Sequence, residues 1–219
     1  MARRGVGSNQ YRTRLTDVLP NTGPDLMAQA SGKQGVLGRL IGRSQLPTTG
    51  YPLSDWMEAA RDRDVSVRRD AASRGDAPPQ VLARLADDRD IRVARIALSN
   101  HNCPTEVLEQ AAHTLFDWRA WEVARNPSCP PDALVHLAGS QWEHVRSEVA
   151  SHRAVPPATQ RQLATDRTLA VRKAMVVNPH ANADVVVLLA ADPDPHVRQA
   201  ALRHPNLPEE YRVLHQAQQ

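Results

Sequence analysis

The side chains with the richest chemistry in this 219-residue chain gather near its middle. Phe116, Trp118, Trp121 and Trp142 include the only phenylalanine and three of the four tryptophans. Trp118, Trp121 and Arg125 fall at spacings of three and four, which places them on one face of a helix. Arg92 and His144 take the Trp118 position in flanking segments of an internal repeat, and Arg95 and Lys173 take the Trp121 position. Flat rings beside guanidinium groups support two kinds of recognition. They anchor a protein partner by burying ring area, or they stack on bases while the cations meet phosphates. Arg92, Arg95, Trp118, Trp121, Arg125, His144 and Lys173 are therefore the candidate partner-binding residues. A protein is the expected partner and nucleic acid the alternative.

Other chemistry has little foothold. Nucleophile motifs, paired glycines for phosphate and His-Glu-x-x-His are all absent from the sequence. The nine histidines are scattered, and His152 and His204 stand where other repeats carry Asn, which points to a backbone role and not to a metal. Cys103 and Cys129 lie one period apart. Stacked repeats sit about 9–10 Å apart, beyond the roughly 7 Å Cα limit for a disulfide, so both cysteines read as small buried apolar residues. No catalytic residue, metal, cofactor or small-molecule substrate is expected, and the chain reads as a non-enzyme.

The formal charge of +3 is unevenly spread, with seven basic and two acidic residues in 1–50 against 20 basic and 22 acidic in the remainder. Basic character thus belongs to an N-terminal extension. Arg3 and Arg4 lead into Gly, Ser and Asn, unlike a signal peptide. The longest apolar run, Val185 to Ala191, is too short to span a bilayer. A soluble cytoplasmic protein is expected.

What must position the central residues is a repeat. Stepping forward by 26 residues from Val67 gives Val93, Arg119, Val145, Val171 and Val197 with no insertion, and eleven residues past each stand Pro78, Pro104, Pro130, Pro156, Asn182 and Pro208. A fixed period of this size marks a solenoid whose units bury their apolar faces against one another. Each unit holds two short helices. The first opens after Asp64, Asp90, Thr168 or Asp194, whose oxygens suit an N-cap. It stops near Arg74, Asn100, Asn126, His152, Asn178 and His204, where Asn and His suit a left-handed terminus. The second helix opens at the recurring proline. The core is read as the marker valines with Ala71, Ala97, Val123, Val149, Met175 and Ala201 four residues on, facing pairs such as Val81/Leu85 and Val185/Leu189.

Residues 1–50 hold eight of the ten glycines and are expected to be flexible through about Pro24. Within them Val36-Leu37-Gly38-Arg39-Leu40-Ile41 is amphipathic, and Ile41 falls one period before Val67. It reads as a degenerate cap repeat or as a basic amphipathic anchor.

The units Asp192-Pro193-Asp194-Pro195-His196-Val197-Arg198, running on to Pro205 and Pro208, and Asp88-Arg89-Asp90-Ile91-Arg92-Val93, resemble the leucine-rich repeat variant family over residues 52–215. The resemblance implies an all-α, right-handed α/α (or α/3-10) solenoid, HEAT-like, with about six 26-residue repeats and an incomplete N-terminal cap repeat. The domains are then 1–50, the basic Gly-rich extension, and 51–219, the solenoid. It implies a protein-binding scaffold. An iron–sulfur cysteine cluster precedes the repeats in some members; here no cysteine precedes Cys103, so nothing of that site carries over. Arg68, Arg146, Arg172 and Arg198, with acids such as Asp62, Asp166 and Asp192 six or seven residues earlier, are expected to form a ladder of exposed ion pairs between repeats, each worth about 1 kcal/mol or less. A HEAT-like DNA glycosylase, with Asp117 or Glu122 as its carboxylate, is the remote alternative.

Overall fold

Short sequences such as Val-Ser-Val-Arg-Arg-Asp-Ala-Ala-Ser carry too few residues to hold a helix alone in water, so each helix of this chain depends on its neighbours. The computed structural model describes residues 52–113 and 116–216, which form thirteen α-helices. In chain order these are α1 (Leu53–Ala59), α2 (Val65–Ser73), α3 (Pro79–Leu85), α4 (Ile91–Ser99), α5 (Thr105–Ala112), α6 (Asp117–Arg125), α7 (Pro131–Ala138), α8 (Glu143–Ser151), α9 (Pro157–Ala164), α10 (Leu169–Val177), α11 (Ala183–Leu189), α12 (Pro195–Leu202) and α13 (Glu209–Gln216). Even-numbered helices from α2 to α12 are the first helices of successive repeats and pack one on the next. Odd-numbered helices form the second layer, all of them α-helical. No strand occurs among the described residues. The 1–50 extension, including the segment to Pro24 and Val36–Ile41, lies outside the described residues.

The core runs between the layers as one continuous cluster. Val93, Ala97, Val145, Val149, Val171 and Met175 are fully buried from the first layer, facing Val81, Leu85, Leu134 and Leu189 from the second. Cys103 and Cys129 are buried free thiols in this core, and burial pushes each up to about 12. Recurring prolines fix how the chain turns into the second layer. Pro78, Pro104, Pro130 and Pro156 hold the residue before each helix in extended geometry, and Pro79, Pro131 and Pro157 occupy the favoured first turn.

Two polar ladders tie the repeats together. At the end of each first helix an Asn or His reaches back one repeat. Asn126 donates from Nδ2 to the carbonyls of Leu98 and Asn100 and accepts from the Ser128 N–H at Oδ1. Asn100 and Asn178 repeat the arrangement. His152 does the same work with one fewer bond. Its Nδ1 accepts from the Ala154 N–H, so Nε2 keeps the proton and donates to the Asn126 carbonyl. His204 copies it on Asn178 and Asn206. The left-handed geometry expected at these ends is absent: Asn100, Asn126, His152 and Asn178 have φ between -69° and -76° with ψ of 114–137°. Asn and His are used for reach, not for tolerance of positive φ.

The second ladder is the Arg–Asp one, and it departs from expectation in partner and in burial. The guanidinium of Arg68 forks onto Asp88, twenty residues ahead in the next turn, at 2.7 and 3.0 Å. Arg146 and Arg172 fork likewise onto Asp166 and Asp192. The acid six residues earlier contributes its carbonyl instead, as Asp62 does to Arg68 and Asp166 to Arg172. These pairs are buried, with side chains 3–13 % exposed, so the rule for exposed pairs does not apply to them. Burial by itself would raise the carboxyls of Asp88, Asp166 and Asp192. Hydrogen bonds from the arginine and from the N–H two residues on outweigh it and hold all three below the ordinary value.

Capping follows the sequence at Asp64, Asp90 and Asp194, whose carboxylates accept from the opening amides. Thr168 differs. Its hydroxyl accepts from Arg146 at 3.0 Å and leaves the helix amides uncapped.

Candidate functional site

The Arg–Asp ladder is interrupted in the middle of the array. Where Arg68 and Asp88 form a rung, the next two rungs read Ala94 with Thr114 and Ala120 with Ser140, after which Arg146 and Asp166 resume. Both partners are lost each time. Removing one would strand a buried charge at a cost of about 3–5 kcal/mol, whereas replacing both is close to neutral.

A different network fills this interval. Arg95 on α4 donates through Nε to the Glu122 carboxylate on α6 at 2.6 Å, and its guanidinium lies 5.6 Å from the Trp121 ring centroid. Arg125, one turn on from Trp121, stacks on the same ring at 4.5 Å and reaches Glu148 on α8 at 3.7 Å. Two guanidinium groups thus lie over Trp121. Arg119 lies 5.3 Å over Trp118 and donates to the Ala86 carbonyl and the Asp87 carboxylate. It occupies the marker position held by valine elsewhere, while Ala120 beside it is buried like Ala94 one repeat earlier.

The candidate residues divide into those the fold joins and those it separates. Arg95, Trp118, Trp121 and Arg125 come together across α4, α6 and α8. The mostly polar residues that share the Trp118 and Trp121 registers, such as Ser66, His196 and Gln199, suggest an exposed face, but Trp118 and Trp121, like Trp142, are half-buried and pack on the core. A nine-atom indole on a helix shoulder cannot stay clear of the neighbouring helix as Gln199 does in the Trp121 register. Arg92 is exposed and folds back on Asp90, the cap of its own helix. His144 and Lys173 are exposed on α8 and α10, and no hydrogen bond or ion pair joins either to the cluster. Sequence reasoning missed Glu148 and Arg119 as members. Glu122 and Glu148 share one repeat position, and only the fold shows that it faces the preceding helix.

The arrangement bears on the other chemistries. Glu122, one carboxylate the glycosylase reading needs, is buried and engaged by Arg95. Asp117 is exposed but spends Oδ1 on the Trp118 N–H. His113 and His136 lie with ring centroids 4.0 Å apart, and burial followed by the charge of His113 lowers the His136 value. Among the described residues no three His, Cys, Asp or Glu side chains form a metal-holding group. No described helix is long and apolar enough to cross a membrane.

No protein-family model matches the chain, and neither does any curated protein. Among solved structures it is similar to one described as a leucine-rich repeat variant with a novel repetitive protein structural motif. Identity is 28% and the TM-score 0.53, over 70% of this chain and 62% of that one. The chain therefore spans somewhat under two thirds of that structure. The 26-residue period and the two packed helical layers make the described residues an all-α repeat solenoid, similar to that leucine-rich repeat variant structure.

Proposed function

We propose that the chain is a non-catalytic scaffold that binds another protein on its first-helix face, anchored at Arg95, Trp118, Trp121 and Arg125. The observation that carries this reading is the interruption itself. Among the described residues the Arg–Asp ladder breaks off between Arg68 and Arg146, where the aromatics stand, and departures from an otherwise consistent pattern concentrate at functional sites. Half-buried rings that carry guanidinium groups over them resemble interface anchors, which carry most of the binding energy. Exposed Phe116 and Arg92 extend the same surface.

The local charge favours protein over nucleic acid. Arg92, Arg95 and Arg125 each face a carboxylate, Asp90, Glu122 and Glu148, which leaves little net positive field for phosphates. Two guanidinium groups already lie over the Trp121 ring, so a base would have to compete with them for it.

The test is capture of interacting proteins on the immobilised chain, followed by affinity measurement with Trp121→Ala and Arg125→Glu. Each variant should weaken partner binding by roughly thirtyfold, the effect of about 2 kcal/mol. Unchanged affinity in both folded variants would refute the assignment. Tight binding to unrelated DNA with a steep salt dependence would replace it with the nucleic-acid reading.

A further inference from the structure

Along most of the second layer the helices pack in succession, α5 on α7, α7 on α9 and α9 on α11, whereas α1, α3 and α5 pack less closely on one another. A groove of about 1140 Å³ lies between these three. Its lining is mixed. Met57, Ala60, Ala83 and Val107 supply apolar surface, while Arg61, Arg63, Arg84 and Arg89 supply charge. The two signs of charge are used differently. Of the lining acids, Asp88 sits in the fork of Arg68 and Asp87 accepts from Arg119, so both are neutralised within the fold. Asp62 and Glu106 have no ion pair among the described residues. The four arginines are all exposed, and none of them makes a side-chain hydrogen bond or ion pair with a described residue. Four free guanidinium groups thus face two free carboxylates, and the groove is net basic over apolar side chains.

We propose that this groove binds an acidic amphipathic helix of a partner protein, whose apolar side chains enter between α1, α3 and α5 while its carboxylates meet the four arginines. This goes beyond the partner-binding reading above, which concerns the first-helix layer, and does not depend on it.

Size, spacing and chemistry agree on that occupant. The volume exceeds the roughly 300–1,000 Å³ of small-molecule sites, and an amphipathic helix laid in a groove is a recurring mode of peptide recognition. Arg63 and Arg89 lie one period apart, in equivalent turns of adjacent repeats, and stacked repeats are about 9–10 Å apart. Carboxylates two turns apart on a helix are separated by about 11 Å, so one helix can meet both. The planar guanidinium fork matches a carboxylate with two parallel hydrogen bonds. Nucleic acid fits less well. Among the described residues no aromatic side chain lines the groove for base stacking. Asp62 and Glu106 would repel a continuous phosphate backbone, whereas a helix can place its carboxylates clear of them.

Fluorescence anisotropy with the full chain tests this. The probe is a labelled peptide of about four helical turns, with leucine on one face and glutamate on the other. Companion probes replace every glutamate by lysine or every leucine by serine, and a labelled single-stranded DNA is the nucleic-acid probe. The glutamate–leucine peptide should bind, more weakly as salt rises, and each companion peptide should bind at least about tenfold more weakly. Arg84→Glu with Arg89→Glu should weaken that peptide by about tenfold; both side chains are exposed and unpaired, so the fold is not endangered. Arg153→Glu with Arg167→Glu makes the same change in net charge at exposed arginines outside the groove, and should leave the affinity as it was. Failure of the glutamate–leucine peptide to bind, equal binding of either companion peptide, an equal loss in the two double variants, or tighter binding of the DNA would each overturn the proposal.

Discussion

Removing one half of a buried rung should cost far more than removing both. In Arg146→Ala the Asp166 carboxylate keeps the Thr168 N–H as a donor but loses both bonds of its fork, with its side chain only 10% exposed. The expected loss is about 3–5 kcal/mol. Asp166→Ser alone strands the Arg146 guanidinium and should fall in the same range, softened by the Ser140 and Gln141 carbonyls it still meets. The double variant reproduces the Ala120/Ser140 combination one repeat earlier. It leaves those two carbonyls without Arg146, but Gln141 is exposed and Ser140 half-buried, so water replaces the donor at a cost of about 1–2 kcal/mol. Urea unfolding of the four proteins, followed by far-ultraviolet circular dichroism, gives the cycle. The double variant should be more stable than either single one. If the single losses stay under about 1 kcal/mol and add within about 0.5 kcal/mol, the rungs act as exposed pairs and the argument from burial fails.

Acid should act on two ladders in two windows. Asp88, Asp166 and Asp192 have lowered folded values, so their contribution is full above the ordinary carboxyl range near about 4 and is lost as pH falls through those lowered values. Burial, with Arg153 adding and the Asn126 carbonyl opposing, lowers the His152 value; the unfolded chain then binds more protons below about pH 6.5, and stability should decline from there downward. His152→Asn, which installs the residue used at Asn126 and Asn178, should flatten the urea midpoint between pH 7.5 and 5, and an unchanged slope would exclude His152 as its source. Trp121→Ala should cost about 2 kcal/mol by thermal or urea unfolding, roughly half of what a fully buried tryptophan costs; a loss near zero would mean a surface ring. Thiol reagents at pH 8 should leave Cys103 and Cys129 unmodified until denaturant is added, and rapid modification of the folded chain would contradict their burial.

Much of this architecture could be read before any coordinates, because a 26-residue period constrains every repeat at once. Val67, Val93 and their equivalents proved buried, the prolines opened the second helices, and the aspartate caps formed. What escaped was the direction in which polar side chains reach. Asn126 has the residue type of a left-handed terminus, and only the packed neighbour reveals that its amide spans to Leu98 and Asn100. Arg68 has acids on both sides in sequence, and the fold alone selects Asp88 over Asp62. The central cluster was found by its departure from the register. Its inner wiring through Glu122 and Glu148 was not, since carboxylates at that position look like ordinary solvated surface in a single sequence.

The backward reach of the Asn and His side chains also sets an order in time. A ribosome adds about 5–20 residues per second, so a new 26-residue unit follows the last in about 1–5 s. When Asn126 emerges, the Leu98 and Asn100 carbonyls it needs are already made, and the same holds for His152 and Asn178. The arginine forks run the other way: Arg146 waits for Asp166 to appear twenty residues later. Each unit is therefore fastened to its predecessor as soon as its first helix is complete, and locked to its successor only once the following turn has left the exit tunnel.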